Sequence, residues 1–211
     1  AIAANYAVAA VGTETAGSIT SPSSQNSVVG LKPTISLMSR TGIVPISSTL
    51  DTPGPMTKNV IDNVILSQAM VGFDADDPAS KARTPSKTNF VEEVLTAEFN
   101  GKRIGVLKSL LGNEIYKKAV QRMKAAGVEI VEISPPNVGF NGFITLLNVD
   151  MKHDLPKYFK NNTDKSISFT SVKDIVNFNL KEMPLRAPYG QALFEGIVNE
   201  RTRCNQEKFN E

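Results

Sequence analysis

The feature that most restricts the fold of this chain is a long stretch of loop-forming composition near its start. Residues 11–57 are rich in Gly, Ser, Thr and Pro and show almost no helical periodicity. A connection of this length is uncommon in a compact domain unless it is functional or disordered. Two short apolar runs within it, at residues 28–31 and 42–46, are typical of brief buried strands between turns. These runs favour a functional segment.

The rest of the chain alternates between helix and strand patterns. Thr57 is a candidate N-cap of a helix whose apolar residues recur at helical spacing as far as Gly72, and residues 73–89 form a polar loop. A strand, a helix and a second strand follow, at residues 103–107, 113–126 and 128–133. A strand-helix-strand unit indicates α/β architecture. Three more helices are predicted, at residues 140–160, 171–183 and 190–209.

The composition excludes several kinds of chemistry. The 211 residues include one histidine, His153, and one cysteine, Cys204, so they form neither an internal disulfide nor a Cys/His zinc site. A net charge of +2 gives no electrostatic reason to expect nucleic acid or an anionic membrane as a partner. We expect His153 to be a solvated surface residue and Cys204 to be a buried or neutral thiol.

The first ten residues do not have the features of a natural beginning. They are mostly apolar, and they contain neither an initiator Met nor a polar residue that would cap a helix. They lack the basic region of a signal peptide and are too short to span a bilayer. We therefore expect the sequence to enter in the middle of a secondary-structure element and to be a piece of a larger protein.

The segment with the clearest chemical content follows a short apolar run that ends at Val11. It reads Gly-Thr-Glu-Thr-Ala-Gly-Ser at residues 12–18, and Pro22 stands near the start of a possible helical turn. Small residues before a serine allow backbone N–H groups to face its hydroxyl, and a tetrahedral oxyanion needs two or more such donors. The motif is not the G-x-S-x-G nucleophile elbow, and most Gly-Ser turns are only turns. The candidate donors are Thr15, Ala16, Gly17 and Ser18.

Four ordered blocks carry a resemblance to a known family. They read Gly-Thr-Glu-Thr-Ala-Gly-Ser-Ile at 12–19, Val-Val-Gly-Leu-Lys-Pro-Thr at 28–34, Ser-Arg-Thr-Gly-Ile-Val-Pro-Ile at 39–46 and Asp-Thr-Pro-Gly-Pro-Met-Thr at 51–57. Together they resemble the amidase signature family of Ser-cisSer-Lys amidases, and within it the bacterial peptide-amidase-like branch. The likeness is strong over residues 1–72 and looser over 146–155. It implies an α/β fold with a mixed, mostly parallel sheet surrounded by helices, incomplete in this chain.

The resemblance also implies the roles of residues around the serine. Ser18 matches the family's nucleophile, and the backbone amides of Thr15, Ala16, Gly17 and Ser18 match its oxyanion hole. The cis-serine and the lysine base of the family lie upstream of these blocks, and no residue of this sequence matches either. The implied function is hydrolysis of an amide bond through a serine acyl-enzyme, with no metal or organic cofactor. The chain alone is expected to be inactive.

Three other polar residues in the blocks are expected to have structural roles. Lys32 lies in the Gly-Leu-Lys-Pro-Thr block, which is structural in the family rather than the source of its catalytic base. Glu14 is expected to hold the loop by hydrogen bonding rather than to act as an acid. Asp51 is expected to organise a turn before Pro53.

The resemblance divides the partial amidase signature domain, residues 1–211, into three parts. These are a signature core with the nucleophile (1–72), a strand-helix-strand part (73–137) and a helical, substrate-side part (138–211). Two other functions stay open: a noncatalytic remnant of a split or truncated amidase gene, and an amidotransferase subunit related to the tRNA-dependent type. The expected partners are a small amide or amidated peptide as substrate, and a complementing chain or a homo-oligomer. Neither nucleic acid nor a membrane is favoured, and a cytoplasmic location is expected.

Overall fold

The computed structural model describes residues 1–81 and 88–202. It separates into two compact units, one from Ala1–Thr88 with Asn141–Glu211 and the other from Asn89–Phe140. The two strands predicted at residues 103–107 and 128–133 are both present in the second unit. Strands β4 (Arg103–Leu107) and β5 (Glu129–Ile133) of this unit pair in parallel. The remaining helices of the unit are α4 (Phe90–Thr96) and α5 (Glu114–Ala125).

The first unit begins with a three-stranded antiparallel sheet in the order β1-β3-β2. Its elements are β1 (Ala9–Glu14), α1 (Thr20–Gln25), β2 (Val29–Gly30), β3 (Thr52–Thr57), α2 (Val60–Met70) and α3 (Pro78–Lys81). Residues 1–6 form a turn, with Asn5 at φ 65°, so the expected element at the start of the sequence is not present. The predicted strand at 28–31 is reduced to two paired residues.

The central strand β3 was not predicted, because it contains two prolines. The carbonyl of Pro55 accepts a hydrogen bond from the N–H of Leu31 at 3.1 Å, on the β2 side. A strand residue points its nitrogen and its carbonyl to the same side, so the ring nitrogens of Pro53 and Pro55 also face β2. On that side β3 has to supply few N–H donors, because β2 contains only two residues. The other side of β3 pairs with β1 along its full length.

The apolar run at 42–46, predicted as a strand, is a turn followed by irregular backbone. The N–H of Ile43 donates to the carbonyl of Arg40 at 3.1 Å, and the N–H of Ile46 donates to the Asp51 carboxylate at 2.7 Å. These local acceptors occupy the donors that a strand would offer to a neighbour. The strand prediction for this run is therefore wrong.

Helix α2 has the predicted periodicity but buries its polar face. Its N-cap is Asn59 rather than Thr57. Asn63 is 2% exposed and donates to the carbonyls of Val29 and Pro55, which fixes the helix to the sheet. The apolar side chains of Val60, Ile61 and Ile65 are each about half exposed.

Four helices complete the first unit: α6 (Phe143–Asn162), α7 (Val172–Leu180), α8 (Met183–Arg186) and α9 (Ala192–Asn199). Leu155, Val172 and Ile197 form a core shared by α6, α7 and α9. The helix predicted at 171–183 corresponds to α7, which ends at Leu180, and α8 is a separate short helix that begins at Met183. The last predicted helix ends at Asn199, and its part from residue 203 onward lies outside the described residues. None of the helices in the described ranges is long and apolar enough to cross a membrane.

Candidate active site

Ser18 lies exposed in the turn that joins β1 to α1. Gly17 has φ +96°, a conformation that glycine adopts readily and that bends the chain just before the serine. The carbonyl of Gly17 accepts a hydrogen bond from the N–H of Ser21 at 2.8 Å, at the start of α1. The turn therefore presents the serine to solvent on a short, ordered connection.

The residue after the serine anchors the turn in the core. Ile19 is fully buried, and three glycines from three of the sequence blocks surround it. A methyl group added to Gly12, Gly30 or Gly54 would lie within 3.1 Å of the Ile19 side chain. Such contacts are too close for a well-packed core. Ile19 is thus a neighbour that these three glycines share, although the Ser23 hydroxyl lies closer to Gly30 and the carbonyl of Leu31 lies closer to Gly54.

A buried carboxylate holds the far end of the turn. Glu14 is 5% exposed, and its Oε2 accepts the N–H groups of Ile19 and Thr20, each at 2.8 Å. The Thr20 hydroxyl also donates to this carboxylate. Burial raises the pKa of Glu14, but hydrogen bonds from the backbone of Thr20, Gly17 and Ile19 and from the Thr20 hydroxyl hold that pKa below its ordinary value. Glu14 therefore holds the loop by hydrogen bonding, as its position in the sequence indicated.

Three backbone N–H groups of this turn, one of them in Ser18 itself, make no hydrogen bond among the described residues. Within residues 1–81 and 88–202, no protein acceptor takes the N–H of Thr15, Ala16 or Ser18. The N–H of Gly17 differs from them, because it contributes to the low pKa of Glu14. Free N–H groups near a serine can bind the oxyanion that develops when its hydroxyl attacks a carbonyl, and acyl transfer requires such donors.

Asp51 holds the end of the turn that precedes Ser18, at Thr15. Its Oδ1 accepts the Thr15 hydroxyl at 2.5 Å, and its Oδ2 accepts the N–H groups of Ile46 and Ser47 at 2.7 and 2.8 Å. Asp51 does organise a turn before Pro53, but it also fixes Thr15. The Ser47 hydroxyl in turn donates to Asp150 of α6. Sequence reasoning did not single out Ser47 or Asp150.

An ion pair attaches the third sequence block to the loop that follows α2. Arg40 donates to both oxygens of Asp77, through Nη2 at 2.9 Å and Nε at 3.2 Å. Burial raises the pKa of Asp77, but its hydrogen bonds with Arg40 and Ala79 hold that pKa below its ordinary value. The arginine of this block therefore helps to hold the fold.

The remaining residues singled out in the sequence lie elsewhere. Lys32 is exposed, and His153 is exposed on α6, as expected of a surface histidine. A cavity of about 620 Å³ is lined by Val149, Lys152, His153, Pro156, Glu200, Arg201 and Thr202, and none of residues 15–18 lines it. Cys204 lies outside the described residues.

The family is shown by comparison with known proteins. The family model described as Amidase matches residues 1–194, and the chain therefore belongs to the Amidase family. Peptide amidase from Stenotrophomonas maltophilia superposes with a TM-score of 0.84 at 35% identity, over 94% of this chain and 42% of that one. Both the predicted family and the predicted fold class, an α/β amidase signature fold present in part, are confirmed.

Two further relatives show how much of a related protein this chain covers. The glutamyl-tRNA(Gln) amidotransferase subunit of Ruegeria sp. (strain TM1040) is 41% identical over 147 residues, which are 66% of this chain and 29% of that protein. A probable amidase of Arabidopsis thaliana is 34% identical over 206 residues, 92% of this chain and 39% of that protein. The chain spans less than half the length of each of these relatives.

Proposed function

We propose that Ser18 is the nucleophile of an amide hydrolase and that the backbone N–H groups of residues 15–18 form its oxyanion hole. Thr15, Ala16 and Ser18 are its main donors, because the N–H of Gly17 is shared with Glu14. One observation carries this proposal: Ser18 is exposed on a turn anchored by Glu14 and Ile19, and the N–H groups of Thr15 and Ala16 in the same turn have no acceptor among the described residues. Membership of the Amidase family supports the assignment, because Ser18 lies in the sequence block that resembles the family's nucleophile motif.

The proposed reaction proceeds through a covalent acyl-enzyme. The Ser18 Oγ attacks the amide carbonyl carbon and gives up its proton, and the oxyanion is stabilised by the N–H groups of residues 15–18. The C–N bond then breaks as the proton passes to the leaving ammonia or amine. Water hydrolyses the ester to release the acid and free Ser18. No metal or organic cofactor is required by these steps.

The proposal includes a part that residues 1–211 do not supply. In the family resemblance a neutral lysine removes the proton of the nucleophile through a cis-serine, and no residue here matches either of them. Lys32 is exposed and lies in a structural block, so it is not proposed as a substitute. The 211-residue chain alone is therefore inactive, and activity requires these two groups from sequence outside it or from a complementing chain or copy. We place the active protein in the cytoplasm.

The proposed substrate is a small amide or an amidated peptide. The similarity to peptide amidase from Stenotrophomonas maltophilia supports this class. The helical part at 138–211 would contribute to substrate choice, with 1–72 carrying the nucleophile and 73–137 the strand-helix-strand part. A second candidate, an amidotransferase component, is favoured by the 41% identity to the glutamyl-tRNA(Gln) amidotransferase subunit of Ruegeria sp.. A noncatalytic remnant is the third.

A labelling experiment tests the proposal. The 211-residue chain and the product of its natural reading frame extended on the N-terminal side are treated with a fluorophosphonate and assayed on an amidated dipeptide. We expect no reaction from the short chain, and we expect labelling and hydrolysis from the extended one, both abolished by Ser18→Ala. Ser24→Ala, a change at an exposed serine of the same segment, is the matched control and leaves both intact.

Each part of the proposal has its own contradicting result. Strong labelling of Ser18 in the short chain would show that this chain contains a base, and it would contradict the prediction that the chain alone is inactive. Hydrolysis that survives Ser18→Ala would remove Ser18 as the nucleophile. An extended product that transfers ammonia to a charged tRNA but leaves amidated peptides intact would favour the amidotransferase.

A further inference from the structure

A chain of hydrogen bonds runs from the oxyanion loop, residues 15–18, to helix α6. Thr15 Oγ1 donates to Asp51 Oδ1, and Asp51 Oδ2 accepts the N–H of Ser47. The Ser47 hydroxyl then donates to Asp150 Oδ2. Thr15 and Asp150 are thus joined by two intermediate residues.

The three members of this chain beyond Thr15 are all buried. Asp51 is 8% exposed, Ser47 is fully buried and Asp150 is 7% exposed. Buried polar groups depend on their partners, because a buried donor or acceptor left unsatisfied costs about 1–3 kcal/mol. A change in one member therefore affects the position of the next.

Helix α6 holds the 47–49 turn at several points. Asp150 accepts the N–H of Thr49 at 3.3 Å, and Asp154, one helical turn further on, accepts the N–H of Ser48 at 2.9 Å. The Ser47 hydroxyl also accepts the N–H of Leu50 at 3.1 Å. The turn that supplies donors to Asp51 is thus fixed on the helix.

The oxyanion loop is consequently held by a buried carboxylate at each end. Glu14 takes the N–H groups of Ile19 and Thr20 after the serine, and Asp51 takes the Thr15 hydroxyl before it. Ala16 and Ser18, between the two anchors, are exposed. The direction of the free N–H groups therefore depends on both anchors.

We propose that Asp51 is a positioning residue for the oxyanion loop, and that Asp150 of α6 acts on the same loop through Ser47 and Asp51. Asp51 holds the Thr15 side chain, and the backbone of Thr15 is the first of the proposed oxyanion donors. The catalytic part of this inference rests on the proposed function of Ser18. The structural part, that α6 controls the loop, does not.

The structural part is tested in the 211-residue chain by nitrogen-15 NMR. We expect Ser47→Ala to shift the amide resonances of residues 16–18 in the same direction as Thr15→Val, because the hydrogen bonds of the described residues join Ser47 to the loop through Asp51. Asp174→Asn changes an acceptor in the capping turn at the start of α7 and leaves these resonances unchanged. Shifts from Ser47→Ala that stay within residues 46–51 and α6 would overturn the inference. If Ser47→Ala does not fold, Asp150→Asn takes its place.

The catalytic part is tested by steady-state kinetics of the N-terminally extended product, which is the form that we expect to hydrolyse the amidated dipeptide. We expect Thr15→Val and Asp51→Asn to lower kcat about tenfold or more with KM within about twofold, since a misplaced catalytic group acts on the chemical step. Thr15→Ser keeps the hydroxyl and restores most of kcat. A merely structural role would lower the melting temperature and leave kcat per folded molecule unchanged.

The two proposals fail in different ways. A normal kcat in Thr15→Val, together with loss of hydrolysis in Ser18→Ala, contradicts the positioning role and leaves the nucleophile in place. Hydrolysis that survives Ser18→Ala contradicts the proposed function. In that case the NMR shifts are the test of whether α6 controls the loop.

Discussion

Replacing Glu14 with glutamine isolates the contribution of its negative charge to the fold of the loop. The variant keeps one oxygen that can accept the N–H groups of Ile19 and Thr20, which lie 2.8 Å from the carboxylate. A hydrogen bond to a charged group contributes about 1.5–3 kcal/mol, and one between neutral groups about 0.5–1.5 kcal/mol. Loss of the charge in two such bonds therefore lowers the free energy of unfolding by about 2 kcal/mol at neutral pH.

The effect of Glu14→Gln depends on pH in a defined direction. The pKa of Glu14 lies below its ordinary value of 4.5 in the folded chain, so the folded state binds the proton less readily than the unfolded state. The stabilisation is fully present above pH 4.5 and is lost as the pH falls through the lowered pKa of the folded state. We expect the difference between wild type and variant to shrink over the same window.

Urea unfolding of both proteins at neutral pH and in steps down to about pH 3 measures this difference. Glu98→Gln is the matched control, because Glu98 is exposed, and we expect a change within about 0.5 kcal/mol. A loss in Glu14→Gln no larger than that of the control would refute the role of the charge. A difference that stays constant down to the lowest pH would refute the linkage to its titration.

Two further changes test the packing and the capping. Gly54→Ala places a methyl carbon 2.0 Å from the carbonyl oxygen of Leu31, so we expect a loss of about 3 kcal/mol in urea unfolding, against little change for Gly139→Ala, which has open space. Ser171→Ala removes the capping box that Ser171 forms with Asp174 at the start of α7, and we expect a loss of about 1 kcal/mol, seen as a lower melting temperature. An unchanged melting temperature would contradict the capping role.

The fold could be predicted from the sequence where local pattern and tertiary environment agree. The unit from β4 to β5 follows its hydrophobic pattern, and the prediction is confirmed. Strand β3 could not be predicted, because proline is rare inside a central strand. Pro53 and Pro55 are tolerated here since their ring nitrogens face the side where β2 forms few hydrogen bonds. Helix α2 has the predicted period, but the two carbonyl partners of Asn63 lie in the separate strands β2 and β3.

The candidate site was predicted only in its local part. Ser18 and Glu14 are close in sequence, and the roles expected for them came from the family that their motif resembles rather than from the spacing of small residues alone. The bond from Ser47 to Asp150 joins positions 103 residues apart, and no spacing rule connects them. A single sequence gives the type of each residue but not the pairing of two short polar side chains across the core.

The two prolines of β3 also determine how the sheet of the first unit can grow. A strand arriving beside β3 beyond Leu31 would find no N–H donor at Pro53 or Pro55, so its own carbonyls would lack partners. The outer edge of β1 has its full set of donors and acceptors, and no strand of the described residues pairs with it. An added strand beside β3 is therefore disfavoured, whereas β1 offers an open edge for extension by another segment and for edge-to-edge aggregation.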